Sequence, residues 1–122
     1  MLLPGFLTSE KYNYALIRFL NQQGHNACGW QQGINLGPRG QRLEGVSIHL
    51  ETLAQLHDTK ITLISHSLGG IFARELSKIF PDLVSQVISI GSPFGNGRED
   101  NSYPFKLFAK LNPISELPID IY

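Results

Sequence analysis

Residues 65–70 read Ser-His-Ser-Leu-Gly-Gly and follow directly on the apolar run Ile61-Thr62-Leu63-Ile64. Ser67 is the residue there with chemistry to offer. A serine hydroxyl attacks a carbonyl effectively only when a base takes its proton and hydrogen-bond donors stabilise the oxyanion that forms. A strand that turns sharply into a helix meets part of this need. It lifts the serine side chain above the rim of the sheet and points the first free N–H groups of the helix at the substrate. The backbone at such a serine is strained, which is tolerated when the residues two before and two after are small. Here they are Ser65 and Gly69, and Gly70 gives the helix room to pack closely. His66 is the adjacent candidate base, but neighbouring strand residues point to opposite faces. It is therefore read as a packing or hydrogen-bonding support of the turn.

The surrounding pattern accounts for how such a turn would be positioned. Lys60 to Ser65 is apolar without alternation, as expected of a strand covered on both faces in a parallel sheet. Leu68 to Phe80 has helical spacing, with Pro81 beyond its end, and Val84 to Ile90 reads as the next strand. Upstream, Leu2-Leu3 enter the tight loop Pro4-Gly5-Phe6. Ser9 is placed to cap a helix carrying Tyr12, Ala15, Leu16, Phe19 and Leu20 on one face, closed by Gly24. His25 to Trp30 is a short strand candidate, and a glycine-rich stretch, 31–42, leads to a helix on which Val46, Leu50, Leu53 and Ala54 share a face, ending near His57. Pro104 to Leu111 is expected to be helical and Leu117 to Tyr122 to begin another strand. The alternation predicts an α/β fold, a mostly parallel sheet of about five strands flanked by helices on both faces. In such sheets functional groups gather beyond the carboxyl ends of the strands, where Ser67 stands.

The 122 residues suit a single domain covering 1–122. Ten basic residues balance ten acidic ones, and no basic stripe marks nucleic acid or an anionic membrane as partner. No apolar run approaches the roughly 18 residues of a spanning helix. No signal-peptide pattern opens the chain, so its compartment is unassigned, cytoplasmic by default. The single cysteine, Cys28, forms no internal disulfide. No cluster of His, Cys and carboxylates has metal-ligand spacing, and no cofactor motif is present.

Three stretches carry a resemblance: Leu2-Leu3-Pro4-Gly5-Phe6, His66-Ser67-Leu68-Gly69-Gly70, and Val87-Ile88-Ser89-Ile90-Gly91-Ser92-Pro93-Phe94. Together they resemble the α/β-hydrolases, in particular the esterase and lipase-like branch. That resemblance implies a hydrolase acting on carboxylic esters or lipid-like acyl groups through an acyl-enzyme on Ser67. It implies the N–H of Leu68 as one oxyanion donor and that of Phe6 or Leu7 as the second. Ser65 departs from the glycine usual in the family, and a serine there is small enough for the turn to form at some added strain.

The triad is incomplete. In chain order the family has serine, acid, histidine, yet His25, His49, His57 and His66 all precede Ser67. Asp82, Asp100 and Asp120 have no clear claim to be the acid. The chain is expected to be the amino-terminal part of a longer hydrolase, with a bare sheet edge open to association. A catalytically inactive fragment or binding module is the alternative, and an acyltransferase using the same serine stays open. Trp30 and Leu36 are candidates for acyl-chain contact, with packing of Trp30 on the sheet equally open. Phe94, Phe105 and Phe108 are read chiefly as helix-to-core contacts.

Overall fold

A computed structural model describes residues 1–92 and 103–113, excluding the side chains of 103–105. Three parallel strands form the sheet in the order β1 (Leu2–Leu3), β2 (Ile61–His66), β3 (Val84–Ile90). Leu2 pairs with Ile64 and Leu3 with Ser65; Ser65 in turn pairs with Ser89 and His66 with Ile90. Of the five expected strands, three form among the described residues. The segment around His25–Trp30 contributes one parallel bridge, Leu2 to Gly29, on the far side of β1. Polar and glycine-rich neighbours give it no longer apolar run to pair. The strand expected over 117–122 lies outside the described residues.

The helices are α1 (Tyr14–Gln22), α2 (Arg42–His57), α3 (Gly69–Ile79) and α4 (Tyr103–Leu111), with a 3-10 turn over Glu10–Asn13 before α1. Ser9 occupies the cap of that 3-10 turn, but its hydroxyl makes no capping bond. The left-handed Gly24 ends α1, with His25 N–H donating to Leu20 O and Gly24 N–H to Asn21 O. This paired closure satisfies carbonyls that the helix end leaves free. No helix among the described residues is long and apolar enough to cross a membrane.

The core lies on one face of the sheet. Leu3 and Leu63 meet Val46 and Leu50 of α2 and Phe72, Ala73 and Leu76 of α3 there, with Trp30 filling the centre. Trp30 is fully buried, stands edge-on to Phe72 at 5.3 Å and donates from Nε1 to Gly33 O at 2.9 Å. Packing on the sheet is thus its role. The opposite face is only partly covered. Tyr12 and Phe19, on the expected apolar stripe, are exposed, and α1 has no buried residue. Beneath it Ile88 and Ile90 of β3 remain 43% and 46% exposed, so this face offers α1 little surface to bury against. A cavity of about 500 Å³ opens here, lined by Leu2, Leu20, His25, His57, Ile64 and Ile88 among others.

Candidate active site

β2 ends at His66, α3 begins at Gly69, and Ser67 between them has φ of +50°. A non-glycine residue in this left-handed region is costly unless its surroundings hold it. Two bonds do so here: Ser67 N–H donates to Ile90 O at 2.9 Å, and Gly70 N–H to Ser67 O at 3.1 Å. The serine is thereby fixed between the end of β3 and the first turn of α3, at the carboxyl edge of the sheet.

Small residues around it have distinct reasons. A Cβ on Gly69 would stand 2.6 Å from Pro4 O and 2.7 Å from Leu3 O, both backbone atoms, so only glycine lets α3 start against the exit of β1. A Cβ on Gly70 would collide with the buried Ser92 Oγ. Ser65, where glycine is the rule in the resembled family, is fully buried. Its hydroxyl lies 3.4 Å from Ser89 Oγ and 3.5 Å from Ile88 O. The pairing strand accommodates the extra atom.

His66 makes no hydrogen bond to Ser67. Its ring stacks on Tyr12 at 5.3 Å, and its Nδ1 is buried without a partner, 3.2 Å from where a Cβ on Gly5 would stand. The His66 ring lies between Tyr12 and the Pro4–Gly5 loop. His49 donates from Nε2 to Gly29 O at 3.1 Å, and His25 and His57 border the open cavity.

The amides of the three oxyanion candidates differ in their partners. Leu68 is the residue before α3, and its N–H donates to no backbone carbonyl among the described residues; the same holds for Phe6. Leu7 is different: at φ +64° it donates its N–H to Asn35 O at 2.7 Å. That bond corrects the expectation that left Leu7 open as a donor, because an amide already bonded to a carbonyl is not free for substrate. Thr8 Oγ1 closes the same loop by donating to Gly5 O at 2.7 Å.

Sequence inspection missed what surrounds this loop. Asn35, 1% exposed, donates from Nδ2 to Pro4 O at 2.7 Å and accepts from Gly37 N–H at 2.9 Å. Asn112, just past α4, donates to Leu36 O at 2.8 Å and accepts from Arg39 N–H at 3.2 Å. Phe108 of α4 stands edge-on to Phe6 at 5.3 Å. The Asn-x-Gly spacing at 35–37 was the available signal, since asparagine favours a local turn to the second amide onward. Phe94 and the Phe105 side chain lie outside the described residues.

No family model matches the sequence. Triacylglycerol lipases of Pseudarthrobacter phenanthrenivorans and Burkholderia plantarii are each 37% identical over 68 residues, or 56% of this chain. Those residues are 21% and 18% of the two lipases, so the match spans about a fifth of these relatives. Among solved structures, polyneuridine aldehyde esterase superposes with a TM-score of 0.64 at 18% identity, over 93% of this chain and 48% of the esterase. The monoacylglycerol lipase of Paleococcus ferrophilus does so with a TM-score of 0.62 at 21% identity, over 93% and 46%. The fold is the α/β-hydrolase fold. Aspergillus fumigatus lipase B, with a TM-score of 0.58 at 19% identity over 75% of this chain, agrees with it. Sequence and structure point together to the α/β-hydrolase superfamily, and this chain spans about half of the first two solved structures.

Proposed function

We propose that residues 1–122 carry the nucleophile and oxyanion donors of a serine hydrolase acting on carboxylic esters with lipid-like acyl groups. Ser67 at φ +50°, held between β2 and α3, is the observation that carries this reading. Its backbone is a nucleophile elbow, and the lipases and esterases similar to this chain favour an ester substrate. In the reaction, Ser67 Oγ attacks the ester carbonyl carbon while its proton passes to a base. The negative oxygen of the tetrahedral intermediate accepts from Leu68 N–H and Phe6 N–H. Its collapse breaks the bond to the alcohol, which leaves with a proton, and water then releases the acid from the acyl-serine. No cofactor enters these steps.

None of the four histidines bonds to Ser67: His49 binds Gly29 and His66 stacks on Tyr12. That observation supports a second reading, an α/β-hydrolase-like unit that keeps ligand binding without turnover. Removing a triad member leaves only the residual advantage of binding and the oxyanion site. Incubation with a fluorophosphonate probe, read by mass spectrometry, separates the two. The hydrolase reading expects one adduct, on the peptide containing Ser67, and none in Ser67→Ala. Folded protein that stays unmodified defeats it and leaves the binding reading.

A further inference from the structure

Two buried asparagines far apart in sequence are tied to the loop that carries the Phe6 amide, Asn35 directly and Asn112 through the 36–39 segment and Phe108. Pro4 C=O is held by Asn35 Nδ2–H at 2.7 Å, and Leu7 N–H is held by the Asn35 main-chain oxygen at 2.7 Å. Thr8 O accepts from Asn35 N–H at 2.8 Å. One residue thus grips the loop on both sides of Phe6, leaving the Phe6 amide between the gripped points. Asn35 is itself braced. Its Oδ1 accepts from Gly37 N–H, and Gly37, at φ +93°, lies so close to the Asn112 amide that a Cβ would overlap it. Asn112, fully buried, bonds Leu36 O and Arg39 N–H on one side and Phe108 O at 3.0 Å on the other. Phe108, 1% exposed, then meets the Phe6 ring edge-on. The path closes on itself: Phe6, Phe108, Asn112, the 36–39 segment, Asn35 and back to Phe6.

From this closed path we infer that Asn35 is a positioning residue that sets the Phe6 amide as an oxyanion donor, with Asn112 and Phe108 bracing it from α4. The inference rests on the hydrolase reading of Ser67 and deepens it. An asparagine suits the post because it offers a donor to Pro4 O and an acceptor to Gly37 N–H at once. A donor misplaced by about 1 Å costs on the order of 100-fold in rate, so a loop gripped at both ends has a direct chemical consequence.

Asn35→Asp tests this, because it is isosteric, keeps the acceptor for Gly37 and replaces the N–H donated to Pro4 O with a carboxylate oxygen that carries a buried negative charge. Fluorophosphonate labelling of Ser67 is followed beside wild type across pH, with the thermal midpoint and amide exchange of Leu7 measured on both. Labelling is expected to slow by about tenfold or more near neutral pH. The variant-to-wild-type ratio should recover as the pH falls, because a protonated carboxyl again donates to Pro4 O. The midpoint should fall, and Leu7 exchange should quicken by more than that fall accounts for, whereas amides remote from the loop should follow the midpoint alone. Phe108→Leu, which loosens the other brace, carries the test if Asn35→Asp fails to fold, and it too should slow labelling. If wild type is never labelled, the hydrolase reading fails alone, and Leu7 exchange quickened beyond the fall in midpoint still upholds the grip. Equal labelling at every pH, or Leu7 exchange that only follows the midpoint where labelling is absent, overturns the positioning role.

Discussion

Ser67 illustrates how a single unfavourable dihedral angle gains meaning from its neighbours. Its φ of +50° would be hard to hold in an isolated loop, but Ile90 O and the first turn of α3 hold it. Gly69 is the counterpart. Its missing side chain is demanded by Pro4 O and Leu3 O, backbone atoms of a buried strand exit that have no room to yield. Gly69→Ala should therefore lower stability by about 1–3 kcal/mol, as overpacking does, read from the midpoint of urea unfolding. Cys28 offers a test of burial. Desolvation pushes its thiol above the ordinary range, outweighing the nearby Met1 amine, which pulls it down, and Glu10 adds to the rise. The folded chain thus keeps the proton to higher pH than the unfolded chain. This contribution to stability is level below the ordinary thiol range and falls as the pH climbs through it toward the raised value. Iodoacetamide should accordingly modify native Cys28 more slowly than the urea-unfolded chain at mildly alkaline pH.

Among the elements, α3 and β3 follow the sequence closely because each has a strong local pattern and clear stops. Pro81 lies just past α3, and β3 occupies the expected Val84–Ile90. The His25–Trp30 segment departs from expectation because a strand needs a partner along its length, and only Gly29 finds one, at Leu2. α1 departs in another way: its apolar stripe is real, but the three strands among the described residues leave it without a buried side chain. Its end is well made, and Gly24 marks how much of that depends on conformation alone. A Cβ there would meet nothing within 4 Å, yet φ is +91°. Gly24→Ala should then cost about 1–2 kcal/mol, the penalty of the left-handed conformation without any steric collision. A loss at this site that matched a buried clash would contradict the open surroundings.

Among the described residues, one sheet face is packed and the other half open. Trp30, the sole tryptophan, lies at the centre of the packed face, so native emission should be blue-shifted and move red on unfolding in urea. Ile88 and Ile90 mark the open face beside a cavity of about 500 Å³ that Ile88 lines. Contiguous exposed apolar surface of this kind binds hydrophobic dyes and promotes association. Replacing Ile88 and Ile90 together by threonine should reduce the fluorescence of added anilinonaphthalene sulfonate while leaving the urea midpoint nearly unchanged. Undiminished dye binding would place the accessible apolar surface elsewhere.

The Ser-His-Ser-Leu-Gly-Gly spacing, the strand before it and the helix after it were legible in the sequence. They depend on local backbone preferences and on apolar periodicity over a few residues. The bond from Leu7 N–H to Asn35 O, the packing of Trp30 and the stacking of His66 on Tyr12 were decided only by the tertiary structure. Each depends on partners distant along the chain: Asn35 reaches Pro4 across 31 positions and Asn112 reaches Leu36 across 76. A buried amide is satisfied by whichever carbonyl the fold brings to it, and no spacing rule specifies that partner in advance.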